Sequence, residues 1–204
     1  MPLEYNPRPA RDTDNFTRIA RLIYGTDPYI YPFWFGSEDG SIMPLYHLIH
    51  TPGSIFAPDN IFVIEEIWQR EILGVIVAVS SHSDLSYDYA ELKATNEQYR
   101  FAIERYVEPS VRHARNADPD TIMVLDCCVA PEARRQGLGK TMLSGFMTLM
   151  QERGFRRFEL DCLADNQPAL ALYHGLGFQD IKPGIGFDGT NHPQVAIMSL
   201  ARQL

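Results

Sequence analysis

Apolar positions along the 204-residue chain recur with two different periods. Phe16, Ile19, Ala20 and Ile23 fall three to four residues apart, which predicts a helix after a short extended start, with Asp12 or Thr13 as its cap. The stretch "TDPYIYPFWFG" (26–36) is aromatic and broken by Pro28 and Pro32, so it reads as a loop around a surface or pocket. "MPLYHLIHT" (43–51) predicts a second short helix. "NIFVIEEIWQREILGVIVAVSS" (60–81) reads as two strands joined by a polar turn near Gln69 to Glu71. Residues 81–118 are polar. They predict a helix from Tyr89 to Tyr106, an interruption at Pro109 and a further turn through Val111 to Ala114.

The second half of the chain is more regular. "TIMVLDCCV" (121–129) is apolar at nearly every position, as a strand covered on both faces would be. A helix from Gly137 to Arg153 places Leu138, Met142, Phe146 and Leu149 on one stripe, with Gly154 at its C-terminal end. "FRRFELDCL" (155–163) alternates, with Phe158, Leu160 and Cys162 on one face and Arg157, Glu159 and Asp161 on the other. "DNQPALALYHGLGF" (165–178) predicts a short helix with Asn166 or Gln167 as cap, Pro168 in its first turn and Gly175 at its end. A Gly/Pro-rich loop and a last strand, "QVAIMSL" (194–200), follow. This order predicts a mixed α/β fold in one domain over 1–204, with 81–118 as a helical insertion.

Composition narrows the function. Net charge is −8, so a basic nucleic-acid surface is not expected. No apolar run approaches the roughly 20 residues of a membrane helix, and the N-terminal stretch lacks the apolar core of a secretory signal. Three cysteines, Cys127, Cys128 and Cys162, show no CxxC spacing, which fits a reducing cytoplasm. Adjacent Cys127 and Cys128 point to opposite faces of a strand and cannot share one metal. His47 and His50 lack a third ligand, so no metal is expected.

Against this acidic background, "APEARRQGLGKT" (130–141) is the densest cationic stretch, and it sits where a strand becomes a helix. A helix start leaves about four N–H groups without partners and carries roughly half a positive charge. Glycines let a ligand approach closely, and Arg134, Arg135 and Lys140 add full charges. The combination suits a phosphate or diphosphate. A P-loop does not fit, because its first glycine would fall at Arg134. A dinucleotide fingerprint does not fit either, because its third glycine would fall at Met142.

The pattern [Q/R]-x-x-G-x-[G/A] does fit Arg134, Arg135, Gln136, Gly137, Leu138 and Gly139. It resembles the acetyl-CoA loop of the GNAT superfamily of N-acetyltransferases. "LDCLADNQPALALYHGLGF" (160–178) is similar to the strand and helix that follow the loop in that family, and "RPARDTD" looks like the family's opening. The strong match covers about residues 121–181. The resemblance implies a central mixed, mostly antiparallel sheet with splayed fourth and fifth strands, flanked by helices, and acetyl-CoA held in the gap.

By that resemblance, main chain around Cys127, Cys128 and Val129 pairs with the pantetheine arm. Amides from Arg134 to Lys140 wrap the diphosphate, Asn166 lies against the pantetheine, and Tyr173 lies near the thioester sulfur. Tyr173 is then the acid for the departing thiolate. Asp161 and Asp126 are both candidates to take the amine's proton, with Asp161 favoured. Each role has a plainer alternative. Tyr173 also reads as a packing aromatic, Asn166 as a helix cap, Asp126 as a structural partner of a lysine or arginine, and Glu159 as a solvated side chain. The expected function is acetyl transfer from acetyl-CoA to a primary amine, through a ternary complex. A non-catalytic acyl-CoA sensor on the same fold is the alternative. The resemblance also makes a homodimer an expectation. The acceptor pocket is expected from residues 24–56 and the insertion.

Overall fold

The computed structural model describes residue 5 and residues 7–66, 68, 70–187 and 194–204. The chain runs β1 (Pro7–Pro9), α1 (Phe16–Tyr24), α2 (Ile30–Phe35), α3 (Glu38–Ile49), β2 (Ile61–Glu66) and β3 (Glu71–Ser80). Then come α4 (Ala90–Thr95), α5 (Glu97–Ala102), a π-helical turn (Ile103–Val107), α6 (Glu108–Asn116) and β4 (Thr121–Val129). The last part is α7 (Leu138–Glu152), β5 (Arg157–Leu163), α8 (Gln167–Gly175), β6 (Gln179–Phe187) and β7 (Gln194–Gln203). The strands form one seven-stranded sheet in the order β1-β2-β3-β4-β5-β7-β6. Every pairing is antiparallel except β4 with β5. Among the described residues, no helix is long and apolar enough to cross a membrane.

Local chemistry explains the elements and the departures from expectation. Asn15, rather than Asp12 or Thr13, caps α1 by accepting from the Arg18 amide at 3.1 Å. Asp14 is instead drawn to the Arg8 guanidinium by two 2.8 Å hydrogen bonds. The aromatic stretch expected to be a loop forms α2. Asp27 Oδ1 accepts from the Tyr29 and Ile30 amides at 2.7 and 2.9 Å, and Pro32 sits in the first turn, where a missing N–H costs little. Pro109 does not interrupt the insertion. It falls at the start of α6, and the preceding π turn makes the junction continuous. The helix expected over 89–106 is divided at Asn96, whose side chain caps α5 through the Tyr99 amide. The Gly/Pro-rich segment expected as a loop contributes β6.

Residues opposite one another in a ladder share a face, so the register assigns both sides of the sheet. Phe62, Ile76, Cys127, Val124 and Leu160 form one face, and Phe146 of α7 packs there against Phe62 and Phe158. Val63, Val75, Val77, Asp126 and Cys128 form the other, towards α1. Leu125 is an extra residue in β4, because Val77 pairs with Asp126 while Ala78 pairs with Val124. That bulge reverses the alternation. Without it Asp126 would share the face of Val124.

Parallel pairing of β4 and β5 runs from Thr121 and Arg157 to Val124 and Leu160, and then stops. Both strands continue, to Val129 and Leu163. The two therefore diverge as the resemblance implied, and β4 keeps an edge without a strand partner from 125 to 129.

Candidate active site

The loop after β4 is shaped by two positive φ angles, 65° at Arg135 and 81° at Gly137. Gly137 is the N-cap of α7, and its left-handed backbone is costly for a residue with a Cβ. A Cβ at Gly139 would come within 3.2 Å of Leu172 Cδ2, so its absence keeps α7 close to α8. The Arg134 amide donates to the Pro131 carbonyl, and the Thr141 amide begins the helical ladder on Gly137. Among the described residues, the N–H groups of Arg135, Gln136, Gly137, Leu138, Gly139 and Lys140 find no acceptor within the protein. The side chains of Arg135 and Lys140 are exposed and make no ion pair there. Arg134 lies differently from expectation. Its Nε donates to the Val129 carbonyl at 2.9 Å, which holds the guanidinium against the end of β4. Gln136 donates to the Glu132 carbonyl, and Arg18 neutralises the Glu132 carboxylate.

On the α7 face of the open edge, the Tyr173 phenol lies near the Cys127 and Cys162 thiols. Tyr173 is 8 % exposed, and burial pushes its phenol well above the ordinary value. Burial likewise pushes the Cys127 thiol up, and the Cys162 thiol up to about 11. These cysteines are therefore protonated and weakly nucleophilic. Cys128 lies on the other face, as adjacency in a strand requires. Asn166 caps α8 by accepting from the Ala169 amide at 3.2 Å, while its amide group remains exposed.

The opposite face carries the carboxylates. Asp126 is 4 % exposed, and no lysine or arginine is among its hydrogen-bond partners. Three hydroxyls surround it: Thr26 Oγ1 at 2.6 Å from Oδ1, Tyr31 Oη at 2.9 and 3.0 Å from the two oxygens, and Tyr106 Oη at 3.3 Å from Oδ2. Burial raises its pKa to about 6 against the opposing pull of the hydroxyls, and Asp27 raises it further. Asp161 shares this face of the sheet and is exposed. Glu159, expected to be solvated, is instead held by His113 Nε2 at 2.8 Å and Arg157 Nε at 2.6 Å. Despite the cost of burying it, these donors keep its carboxylate below the usual range.

The structure thus places the residues named from the resemblance on β4, β5, the loop and α8. Thr26, Tyr31 and Tyr106 were not foreseen. They approach Asp126 from 20 to 100 residues away in sequence, and only the aromatic run around Tyr31 was visible as a signal. Two open clefts lie elsewhere. One of about 730 Å³ is at the far end of β4, beside Ile122, His50 and Arg153. Another of about 500 Å³ adjoins the loop through Gln136 and Leu138 but is rimmed by Glu66, Glu71 and Glu132, which disfavours an anion.

Comparison with known proteins agrees with this geometry. The model of the Acetyltransferase (GNAT) family matches residues 31–178. The [ribosomal protein bS18]-alanine N-acetyltransferase of Escherichia coli (strain K12) is 34% identical over 61 residues, which are 30% of this chain and 41% of that protein. A mycothiol acetyltransferase of Clavibacter sepedonicus is 42% identical over 52 residues, 26% of this chain and 17% of that one. The chain thus spans less than half the length of these relatives. The N-acetyltransferase of Staphylococcus aureus Mu50 has the same fold at a TM-score of 0.64 and 18% identity, over 96% of this chain and 99% of that one. With the family's model matched across most of the chain, on a sheet whose central parallel pair parts beside a loop of unpaired amides, the protein belongs to the GNAT acetyltransferase family.

Proposed function

We propose that the protein transfers an acetyl group from acetyl-CoA, the coenzyme its family uses, to a primary amine of a small molecule or peptide. The observation that carries this reading is the run of six unpaired amides, Arg135 to Lys140, beside the open edge of β4. Amides at a helix mouth bind a diphosphate without reorganising, and a strand edge accepts an extended amide chain such as pantetheine. Main chain at Cys127, Cys128 and Val129 pairs with that arm, and Asn166 adds its exposed amide group.

The amine attacks the thioester carbonyl directly, in a ternary complex. A β4 amide at or beside Val129 stabilises the oxyanion. Asp161 is exposed on the acceptor side and takes a proton from the attacking nitrogen through a bridging water. Tyr173 donates to the departing thiolate. Because burial raises its phenol, the transfer is concerted with carbon–sulfur cleavage rather than complete beforehand.

Release of free thiol from acetyl-CoA across a panel of amines tests the reading. Tyr173→Phe should slow turnover by about 100-fold and leave acetyl-CoA affinity intact. An unchanged rate removes Tyr173 from the mechanism. The burial of Tyr173 favours one other reading, a non-catalytic acyl-CoA sensor in which this side chain only packs. Tight coenzyme binding with no thiol release by any amine would support it.

A further inference from the structure

An acceptor amine arrives as an ammonium ion and leaves as an amide, so its nitrogen gives up two protons. Asp161, in the reading above on which this inference rests, takes one of them. The other must leave before attack, because an ammonium nitrogen has no lone pair.

The Asp126 cluster is arranged to hold a proton. Thr26 Oγ1 lies 2.7 Å from the Ile23 carbonyl oxygen and 2.6 Å from Asp126 Oδ1. One hydroxyl hydrogen satisfies only one of two acceptors. With Asp126 ionised, one of these short contacts lacks a hydrogen. With Asp126 protonated, Oδ1 donates to Thr26 and Thr26 donates to Ile23. Tyr31, fully buried, spans both carboxyl oxygens. Tyr106 meets Oδ2 and is only half-buried, so it joins this enclosed carboxyl to the acceptor side of the sheet. It comes from the π turn of the insertion, an unfavourable backbone form that tends to occur at functional sites.

We propose that Tyr106 and Asp126 form a proton-accepting pair, in which the Tyr106 oxygen takes a proton from the bound ammonium group while the phenolic proton passes to Asp126 Oδ2. The Tyr31 hydroxyl, which bridges both carboxyl oxygens, then takes the Oδ2 proton as it gives its own to Oδ1, which donates to Thr26. Tyr106 ends as it began, Asp126 gains one proton, and the amine becomes neutral and able to attack. The proton returns to solvent by the reverse path after product leaves. Other titratable groups bear on the pair. Asp27 adds negative charge from the segment before α2, Asp161 and Glu159 share the sheet face, and Cys127 and Cys128 follow Asp126 in β4. The carboxylates favour proton uptake, and Glu159 is already neutralised by His113 and Arg157. A raised Asp126 pKa agrees with the geometry.

The test measures kcat/KM against pH for the wild type, Tyr106→Phe, Asp126→Asn and the double variant. Each single change should lower kcat/KM for an alkylamine by about 100-fold, and the double variant should be no worse. The defect should vanish with a weakly basic amine that arrives neutral, and acetyl-CoA affinity should not change. A defect of equal size with both amines and at every pH would assign the pair a structural role only and overturn the proposal. A second measurement does not need activity. The Asp126 carboxyl carbon, followed by NMR, should titrate near pH 6, and higher in Tyr106→Phe. Titration in the ordinary carboxylate range would overturn the pair even if turnover were absent. Failure of all thiol release, with the titration as expected, would count against acetyl transfer instead.

Discussion

Asp126 shows what one residue costs and why it stays. An ionisable group inside an apolar strand was legible in the sequence, but its surroundings were not. The Leu125 bulge decides which face it takes, and its three hydroxyl partners come from segments that no spacing rule links to it. Because its folded-state pKa is raised from 3.8 to about 6, the native protein binds this proton more tightly than the unfolded chain does. Stability from the group is present at low pH and is lost as pH rises through 6. The loss is about 3 kcal/mol at its full extent. Asp126→Asn should therefore gain stability relative to the wild type between pH 4 and pH 8, measured by urea unfolding at both. A gain independent of pH would mean that Asp126 is not buried in its charged form.

At the scale of elements, periodic segments were legible and exceptions were not. α7, β5 and α8 follow their apolar patterns because each buries one definite face, and β4 follows its own because it is covered on both. α2 was missed because an aromatic run interrupted by Pro28 and Pro32 reads as loop and offers no polar contrast, and the Asp27 carboxylate that receives its first amides works through its side chain. β6 was missed because Gly and Pro read as turn residues, whereas here they lie on an edge strand, where a missing donor is tolerated. Close seating of α7 on the sheet depends on Gly74. A Cβ there would lie 2.7 Å from Met142 Sδ, 2.8 Å from Ile64 Cγ2 and 3.0 Å from the Cys128 carbonyl oxygen. Gly74→Ala should cost about 1–3 kcal/mol, read as a lowered denaturant midpoint. It should also weaken acetyl-CoA binding, because it presses on the strand edge proposed to receive the coenzyme. A variant as stable as the wild type would show that α7 can shift freely over β3.

Across the whole molecule, the chain carries a net charge of −8 yet presents a loop of unpaired amides that we propose binds a diphosphate. Attraction for a diphosphate therefore has to be local, through main-chain dipoles and a few cations, with long-range steering working against it. Family, the mixed sheet with its diverging fourth and fifth strands, and loop position were legible because two motifs lie on adjacent strand–helix units in fixed order. The hydroxyls that α2 and the insertion bring to Asp126 were not, because those segments reach β4 by tertiary packing alone. The most direct test of the account is calorimetric titration with acetyl-CoA of the wild type and of Arg134→Ala/Gly137→Asp, each confirmed folded by thermal unfolding. The wild type should bind and the double variant, with a carboxylate set among the Arg135–Lys140 amides, should not. Equal affinity in the two proteins would contradict it.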